Sequence, residues 1–265
     1  MADPRPIGIF DSGVGGLTVW REVVRECPAE STVYLADQAH VPYGPRPTEQ
    51  IRDYAFVLTG ALLKRSCKAI VVACNTASAA ALKDLRQKYP DIPFVGMEPA
   101  VKPAAMETRS GVVGVMATPG TLQGRMFMLA VERFAANLTL VNQPCPGLVS
   151  CIEAGDTESP ELEALLREWL APMLKAGADT IVLACTHYPF VLPLIQKIAG
   201  PGVSVLDPSP AVARQLARLL NQKNLKAPEK PEQKPTHQFL TTGDAAAMSA
   251  AVKRLVGVET EAAKL

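Results

Sequence analysis

The sequence predicts an α/β fold of two similar three-layer α/β/α domains, each built on a mostly parallel sheet. The first observation is that short apolar runs rich in β-branched residues alternate with stretches of helical periodicity. This alternation is typical of parallel sheets that are covered by helices on both faces. The second observation is that motifs of the first part of the chain return, in the same order, in the second part. A length of 265 residues is compatible with two domains.

Seven apolar runs are predicted strands, and they span residues 7–10, 32–37, 68–73, 94–97, 111–117, 180–184 and 203–207. The stretches with helical spacing predict helices over residues 17–26, 48–64, 78–88, 121–134, 160–175 and 189–198. The sequence also predicts a short strand and turn over residues 239–244 and a closing helix over residues 245–257. We expect the polar segment 221–237, rich in Lys and Pro, to be a flexible surface loop, and residues 259–265 to be frayed.

The internal repeat rests on three pairs of motifs with nearly one spacing. IVVACNT at 70–76 resembles IVLACTH at 181–187, GIFDSG at 8–13 resembles GVMATPG at 114–120, and MEPAV at 97–101 resembles LDPSPAV at 206–212. The spacing is longer than that of solenoid repeats, so it indicates duplication of a whole domain. We therefore predict a first domain of residues 1–97, to which residues 211–265 return, and a second domain of residues 98–210.

Composition excludes several classes of function. The 27 basic and 26 acidic residues give a net charge of +1, and aromatic residues make up 5%. Nucleic acids and anionic membranes need clustered positive charge, so neither is an expected partner. No apolar run has the length of a membrane span, and the first residues show no signal peptide. The six cysteines form no CxxC pair, and free thiols in a reducing cytoplasm are expected.

Two of these cysteines, Cys74 and Cys185, each follow a predicted strand and precede a polar pair, Asn75-Thr76 and Thr186-His187. In parallel α/β folds, ligands bind beyond the carboxyl ends of the strands. A thiol at a helix N-terminus has a lowered pKa, and the free N–H groups there can bind a carboxylate. Each cysteine taken alone is more simply a buried packing residue. Their equivalent positions in a duplicated unit favour chemistry instead.

If the two halves face each other, the two thiols approach one small ligand from opposite sides. One thiolate and one thiol that flank a carbon can remove a proton from one face and return a proton to the other. The predicted reaction is therefore stereoinversion at a carbon acid. A two-lobed module that only binds an amino acid remains the alternative from another class.

The first loop, Asp11-Ser12 followed by a glycine-rich turn, comes after the first strand and opens a helix. Ser12 is a candidate to bind a charged group of the ligand, and Asp11 to orient Cys74 or accept its proton. Asp11 is alternatively a helix cap. A dinucleotide fingerprint is disfavoured, because the spacing is GxGG rather than GxGxxG.

The remaining candidates are weaker. Tyr43-Gly44 can line the cleft or form an ordinary turn, and the hydroxyls of Thr118 and Thr121 can bind a carboxylate or cap a helix. His187 is a candidate proton partner for Cys185. Metal binding is not expected, because no third or fourth zinc ligand stands at a suitable spacing.

These motifs together resemble glutamate racemases, within the aspartate/glutamate racemase superfamily. The segments that carry the resemblance are IGIFDSGVGGLTV, ADQAHVPYG, VVACNTAS, ATPGT, EAGD, LACTHYP, LDPS and FLTTGD, from residue 7 to about residue 257. The resemblance implies a cofactor-independent transfer of the α-proton that interconverts L- and D-glutamate. It also implies a cytoplasmic enzyme that supplies D-glutamate for peptidoglycan synthesis, and a homodimer.

The resemblance also implies roles for single residues. Cys74 and Cys185 match the two acid/base catalysts, with Asp11 assisting Cys74, and His187 and Glu153 assisting Cys185. The substrate-binding positions match Asp11, Ser12, Tyr43, Gly44, Asn75, Thr76, Thr118, Thr121, Thr186 and His187.

The chain departs from the family at two places. Phe127 stands where members often have Tyr, so a hydroxyl contact is lost. Some members carry a long N-terminal extension linked to activation by a cell-wall precursor. Because six residues precede Ile7, that regulation is not expected here. Aspartate racemase remains the alternative within the superfamily.

Overall fold

Two parallel sheets form the frame of the protein in a computed structural model that describes residues 2–228 and 234–265. In the first sheet, β1 (Ile7–Asp11), β2 (Thr32–Ala36), β3 (Ala69–Val72) and β4 (Phe94–Gly96) lie in the order β2-β1-β3-β4. In the second sheet, β5 (Val112–Ala117), β6 (Thr139–Pro144), β7 (Thr180–Ala184) and β8 (Ser204–Leu206) lie in the order β6-β5-β7-β8. The strand order is therefore the same in both halves, as expected for a duplicated unit.

The first sheet also includes strands from the end of the chain. Strand β9 (His237–Thr241) pairs in parallel with β2, and β10 (Ala263–Lys264) pairs in parallel with β9. The C-terminal part of the chain thus pairs with the first sheet. All strand pairings in the described residues are parallel.

Helices cover both faces of each sheet. On the first sheet, one face is packed by α1 (Leu17–Glu26), α10 (Ser209–Gln222) and α11 (Ala245–Val256), and the other by α2 (Thr48–Leu63) and α3 (Asn75–Lys88). On the second sheet, α7 (Leu148–Ala154), α8 (Pro160–Lys175) and α9 (Leu192–Ala199) pack on one face, and α4 (Val101–Glu107) and α6 (Arg125–Phe134) on the other. The predicted three-layer α/β/α architecture is confirmed.

The strands are apolar throughout because both of their faces are buried. Every residue of β1, β2, β3 and β7 is buried. Such near-continuous apolar runs are the mark of central parallel strands, and this is why the sequence revealed them. Strand β6 escaped prediction because it lies at a sheet edge and alternates between exposed and half-buried residues.

The predicted helix over residues 121–134 is wrong as a single element. The chain forms a short α5 (Pro119–Leu122), then breaks before α6. The break lies at Gly124, where a Cβ would stand 2.8 Å from the Cβ of Ala79 on α3. Close packing against α3 therefore interrupts a sequence whose apolar periodicity continues.

The predicted loop 221–237 is only partly described. Residues 221–222 end α10, residue 237 begins β9, and residues 229–233 lie outside the described residues. Within residues 2–228 and 234–265, none of the helices has both the length and the apolar character needed to cross a membrane.

The expected fraying of residues 259–265 is wrong. The N–H of Leu265 donates to the carbonyl of Thr241 at 2.9 Å, and the N–H of Ala262 donates to Ser249 Oγ at 2.9 Å. Val258 and Ala262 pack against the core beside α11. The tail is bound to the sheet through β10, which is too short to leave a pattern in the sequence.

Ending the chain after Gly257 is expected to destabilise the protein by about 2 kcal/mol, because two backbone hydrogen bonds and the Val258 contact are lost. This corresponds to a fall in Tm of about 4–8 °C by differential scanning calorimetry. Glu259→Ala is the control, since it removes only the exposed ion pair with Lys253. An unchanged Tm in the truncated chain would mean that the tail is not bound.

Candidate active site

A small cavity lies where the carboxyl ends of the strands of both sheets meet. Its walls come from both halves of the chain: Ser12, Pro42, Tyr43, Gly44, Cys74, Asn75 and Thr76 from the first, and Thr118, Val149, Cys185, Thr186 and His187 from the second. Both cysteines line it, although Cys74 is only 5% and Cys185 only 7% exposed. Both thiols are therefore largely buried, and one is supplied by each half.

Cys74 follows β3 and is the N-cap residue of α3. Its Sγ accepts the N–H of Ala77 at 3.4 Å and lies 4.0 Å from Ser12 Oγ. The predicted position at a helix N-terminus is thus confirmed. The expected lowering of its pKa is not. Burial, and secondly the negative charge of Asp11, raise the pKa of the Cys74 thiol well above its ordinary range, and the Ala77 N–H only partly offsets this.

Asp11 lies behind Cys74 rather than in the cavity wall. It is fully buried, and its Oδ2 accepts the N–H of Gly16 at 2.8 Å, at the start of α1. Burial raises the pKa of the Asp11 carboxyl, whereas the positive charge of His187 and the N–H groups of Gly16 and Ser12 oppose the rise. Asp11 thus both anchors the first turn of α1 and contacts the thiol.

Cys185 follows β7 and belongs to a short segment that ends in a buried imidazole. His187 Nδ1 lies 3.9 Å from Cys185 Sγ, and His187 Nε2 lies 2.6 Å from Glu153 Oε1. The segment leads into a 3-10 turn at Tyr188–Val191, and α9 begins only at Leu192. Cys185 therefore does not cap an α-helix as Cys74 does, and a histidine stands beside it instead.

The imidazole and the carboxylate form an ion pair. Burial on its own lowers the pKa of His187, but its hydrogen bonds to Cys185 and Glu153, and the charge of Glu153, raise that pKa well above its ordinary range. Burial likewise opposes ionisation of Glu153, but the hydrogen bond and charge of His187, with the N–H of Val14, lower the Glu153 pKa. Both groups are charged near neutral pH, which places a cation beside the Cys185 thiol.

The glycine-rich loop makes room for this pair. A Cβ at Gly13 would lie 1.8 Å from Glu153 Oε1, and a Cβ at Gly15 would lie 2.2 Å from His187 Nδ1. Glu153 Oε1 also accepts the N–H of Val14 at 2.7 Å. The loop glycines therefore admit side chains from the opposite half of the chain, so they need no nucleotide to explain them.

Asn75 is the residue of the cavity wall whose side-chain amide is left unsatisfied by the described part of the chain. It is the first residue of α3 and is buried, yet both its Nδ2 and its Oδ1 lack a hydrogen-bond partner among the described residues. A buried amide without partners is costly. Because Asn75 also lines the cavity, these two atoms are the unsatisfied polar atoms of its described wall.

Three of the four threonines that the sequence analysis assigned to the site contact one another through their hydroxyls. Thr76 Oγ1 and Thr118 Oγ1 lie 3.0 Å apart, and Thr118 also contacts Thr121 Oγ1 at 3.0 Å. Thr118 caps α5 by accepting the N–H of Thr121 at 3.3 Å. Thr121 therefore stands behind Thr118, outside the cavity wall, and the capping alternative is confirmed for Thr118.

Tyr43 lines the cavity with its ring, but its hydroxyl is directed elsewhere. The O–H donates to Asp37 Oδ2 at 2.5 Å, and Asp37 also accepts from Thr242 Oγ1 at 2.7 Å. Burial, and next the negative charge of Asp37, raise the pKa of Tyr43. Asp37 thereby holds the Tyr43-Gly44 turn, and Gly44 lies so close to Thr118 that a Cβ would stand 3.2 Å from the Thr118 Cβ.

The cavity brings together most of the residues that the sequence predicted. Asp11, Thr121 and Glu153 stand one step behind its wall, in contact with residues that line it. Sequence reasoning missed Pro42 and Val149 in the wall and Asp37 behind it. Asp37 directly follows β2, one residue beyond the position that pairs with Asp11, and an aspartate at the end of each of these two strands was the available signal.

A metal centre finds no support in the part of the chain that the structure describes, where no three His, Cys, Asp or Glu side chains cluster suitably. All six cysteines are described, and each is a free thiol.

Known proteins share this fold and these motifs. The family described as Asp/Glu/hydantoin racemase matches residues 7–216. A glutamate racemase of Ectopseudomonas mendocina (strain ymp) is 49% identical over 256 residues, which cover 97% of this chain and 96% of that protein. A glutamate racemase of Roseiflexus sp. (strain RS-1) is 54% identical over 221 residues, 83% of this chain and 81% of that one.

Solved structures of glutamate racemases have a similar fold. The glutamate racemase of Bacillus anthracis superimposes with a TM-score of 0.86 at 34% identity, covering 97% of this chain and 96% of that chain. The glutamate racemase of Francisella tularensis in complex with D-glutamate gives a TM-score of 0.85 at 29% identity, covering 99% and 97%. The match spans nearly the whole of both chains and includes both halves of the cavity. The chain therefore belongs to the Asp/Glu/hydantoin racemase family.

Proposed function

We propose that this protein is a glutamate racemase that interconverts L- and D-glutamate without a cofactor. The observation that carries the proposal is that two buried cysteines, at equivalent strand ends of the two halves, line one cavity. The similar proteins are glutamate racemases, and the Francisella tularensis and Escherichia coli structures hold D-glutamate and L-glutamate respectively.

The reaction needs two proton carriers in opposite protonation states. One cysteine, as thiolate, takes the α-proton and becomes a thiol, and the electron pair stays on the α-carbon. The opposite thiol then donates its proton to the other face of that carbon and becomes a thiolate. The reverse reaction begins from the protonation states that the first one leaves, so the protons balance over each turnover.

The two thiols have different charged neighbours. Burial, and secondly the charge of Asp11, favour the protonated form of Cys74, whereas the His187 cation stands beside Cys185. An α-ammonium group bound near Cys74 lowers the pKa of its thiol, since an opposite charge favours the thiolate. Asp11 acts on Cys74 and can balance that ammonium, while Glu153 maintains the charge of His187.

Apart from the His187 cation, substrate binding falls to neutral groups and the N-terminus of α3. Among the described residues that line the cavity, none is Lys or Arg. We assign the polar groups of glutamate to Ser12, Asn75, Thr76, Thr118, Thr186 and the Tyr43-Gly44 backbone, with Thr121 supporting Thr118. The partnerless amide of Asn75 supports this assignment most directly.

The wider setting follows from the same proposal. We infer a cytoplasmic homodimer whose D-glutamate enters peptidoglycan synthesis. We also infer domains of residues 1–97 with 211–265 and of residues 98–210. Packing supports this division, because α4 contacts α6 and β7 of the second sheet, whereas α10 lies along α1. Aspartate racemisation and simple amino-acid binding are the competing functions.

The first test follows L-glutamate in buffered D₂O with enzyme and no added cofactor, by polarimetry and proton NMR. Optical rotation is expected to decay to zero while the α-proton signal disappears, because each inversion introduces a solvent-derived deuteron. L-aspartate is the parallel substrate. Reaction of aspartate alone would overturn the substrate assignment, and binding by calorimetry without exchange would support a binding module.

Replacement of either cavity cysteine by alanine is expected to lower racemisation by at least about 10³-fold, because each inversion needs both carriers. Cys67→Ala is the matched control, since Cys67 is a buried thiol in the core beside α2 rather than in the cavity. The assay is initial-rate circular dichroism on enzyme whose folding is verified by Tm. Full racemisation by Cys74→Ala or Cys185→Ala contradicts the two-carrier scheme.

Glu153→Gln is expected to lower the pKa of His187, because the carboxylate contact and charge that raise this pKa are lost. The raised pKa stabilises the fold fully below pH about 6.5, and this stabilisation is lost as the pH rises through the folded value. Titration of the imidazole signals by NMR measures the shift, and His40 and His237 serve as internal references. If the pKa of His187 is the same in Glu153→Gln as in the unchanged protein, Glu153 does not control the charge of His187.

A further inference from the structure

The hydroxyl of Thr18 on α1 links the two halves of the chain beside the cavity. Thr18 is fully buried. Its Oγ1 lies 3.0 Å from the carbonyl oxygen of Thr186 and 2.9 Å from the carbonyl oxygen of Gly15, in the glycine-rich loop that precedes α1. The Thr186 carbonyl lies between Cys185 and His187 in the chain, so Thr18 binds the backbone of the segment that carries the second thiol.

The neighbouring carbonyls of that segment are held from within the same half. The carbonyl of Cys185 accepts the N–H of Tyr188 at 3.1 Å, and the carbonyl of His187 accepts the N–H of Phe190 at 3.1 Å. The carbonyl of Thr186 instead accepts its bond from α1 of the first half. This bond therefore fixes where the Cys185 segment stands relative to the first sheet, and hence relative to Cys74.

A second hydroxyl completes the chain of bonds. Ser209 Oγ donates to Thr18 Oγ1 at 3.3 Å, and Ser209 is the first residue of α10, where the chain has left β8 of the second sheet. Both hydroxyls are fully buried. Thr18 has one hydroxyl proton and two acceptors within reach, one in each half. The bond to Thr186 is thus the one that depends on how the halves meet.

We propose that Thr18 is a positioning residue for the racemisation, which orients the Cys185–His187 segment through the Thr186 carbonyl and is itself oriented by Ser209. The inference rests on the proposed two-cysteine racemisation. Thr18 touches no reacting atom. Its effect is on the distance and angle between the Cys185 thiol and the α-carbon, to which proton transfer is sensitive.

The test compares Thr18→Val, which keeps the shape but removes the hydroxyl, with Thr18→Ser, which keeps the hydroxyl. The valine variant is expected to lose about tenfold in kcat with a smaller change in KM, the scale of one buried hydrogen bond, and the serine variant to recover most of that loss. Thr59→Val is the matched control. Thr59 is a fully buried threonine of α2 whose hydroxyl has no partner among the described residues.

An isotope measurement separates positioning from simple loss of folded enzyme. If proton transfer is slowed only at Cys185, the kinetic isotope effect of α-deuteration on kcat/KM changes in opposite senses for the two enantiomers. The effect rises for the enantiomer that Cys185 deprotonates, and falls for the enantiomer that Cys74 deprotonates, because the carbanion then returns to substrate more often. A smaller folded fraction lowers both rates and leaves both isotope effects unchanged.

The outcomes are distinct. Opposite changes in Thr18→Val, with recovery in Thr18→Ser and none in Thr59→Val, support the proposal. Wild-type kinetics in Thr18→Val, or a loss of kcat with unchanged isotope effects, overturn it while the proposed function stands. A wild-type enzyme without racemase activity refutes the proposed function itself. If Thr18→Val does not fold, Thr18→Ala, which relieves any steric conflict, is measured in its place.

Discussion

The contact between the glycine-rich loop and the Glu153–His187 pair is the constraint on which the rest of the site depends. Glu153 and His187 belong to the second half, yet Val14 and the gaps at Gly13 and Gly15 of the first half receive them. An ion pair at 2.6 Å that is almost wholly buried is stable only when its remaining hydrogen-bonding capacity is also satisfied. The N–H of Val14, in the first half, donates one of those hydrogen bonds to Glu153. The charge state of His187 therefore depends on the contact between the two halves.

The contact between the two halves therefore determines both where the thiols lie and which charges surround them. Where the two halves meet, both thiols lie in a nearly dry cavity, and there burial outweighs the helix N-terminus for Cys74. The same exclusion of water strengthens every remaining charge interaction, including those of Asp11 with Cys74 and of His187 with Cys185. At Cys74, the dipole that would make an exposed thiol acidic is therefore outweighed by burial and by the charge of Asp11.

Much of this arrangement could be predicted from the sequence because buried parallel strands are continuous apolar runs. Those runs located the strand ends, and the duplicated motifs located Cys74 and Cys185 at equivalent ends. What could not be predicted depends on contacts distant in sequence. The tail strand β10 has two residues, the edge strand β6 has no clear pattern, and the break before α6 comes from Ala79 on another helix. The raised pKa of Cys74 required knowledge of burial, which a helix N-terminus in a sequence does not reveal.

Duplication supplied two equivalent thiols, but the reaction requires them to be inequivalent at each instant. Cys74 caps α3 and faces a buried carboxylate, whereas Cys185 leads into a 3-10 turn and faces an imidazole that is held charged by Glu153. Asp11 is the last residue of β1, whereas Glu153 lies on α7, so the two helpers did not descend from one duplicated position. The symmetric part of the fold thus places the two sulfurs on either side of the cavity. The asymmetric part, added on each side by different residues, gives the two sulfurs different charged neighbours.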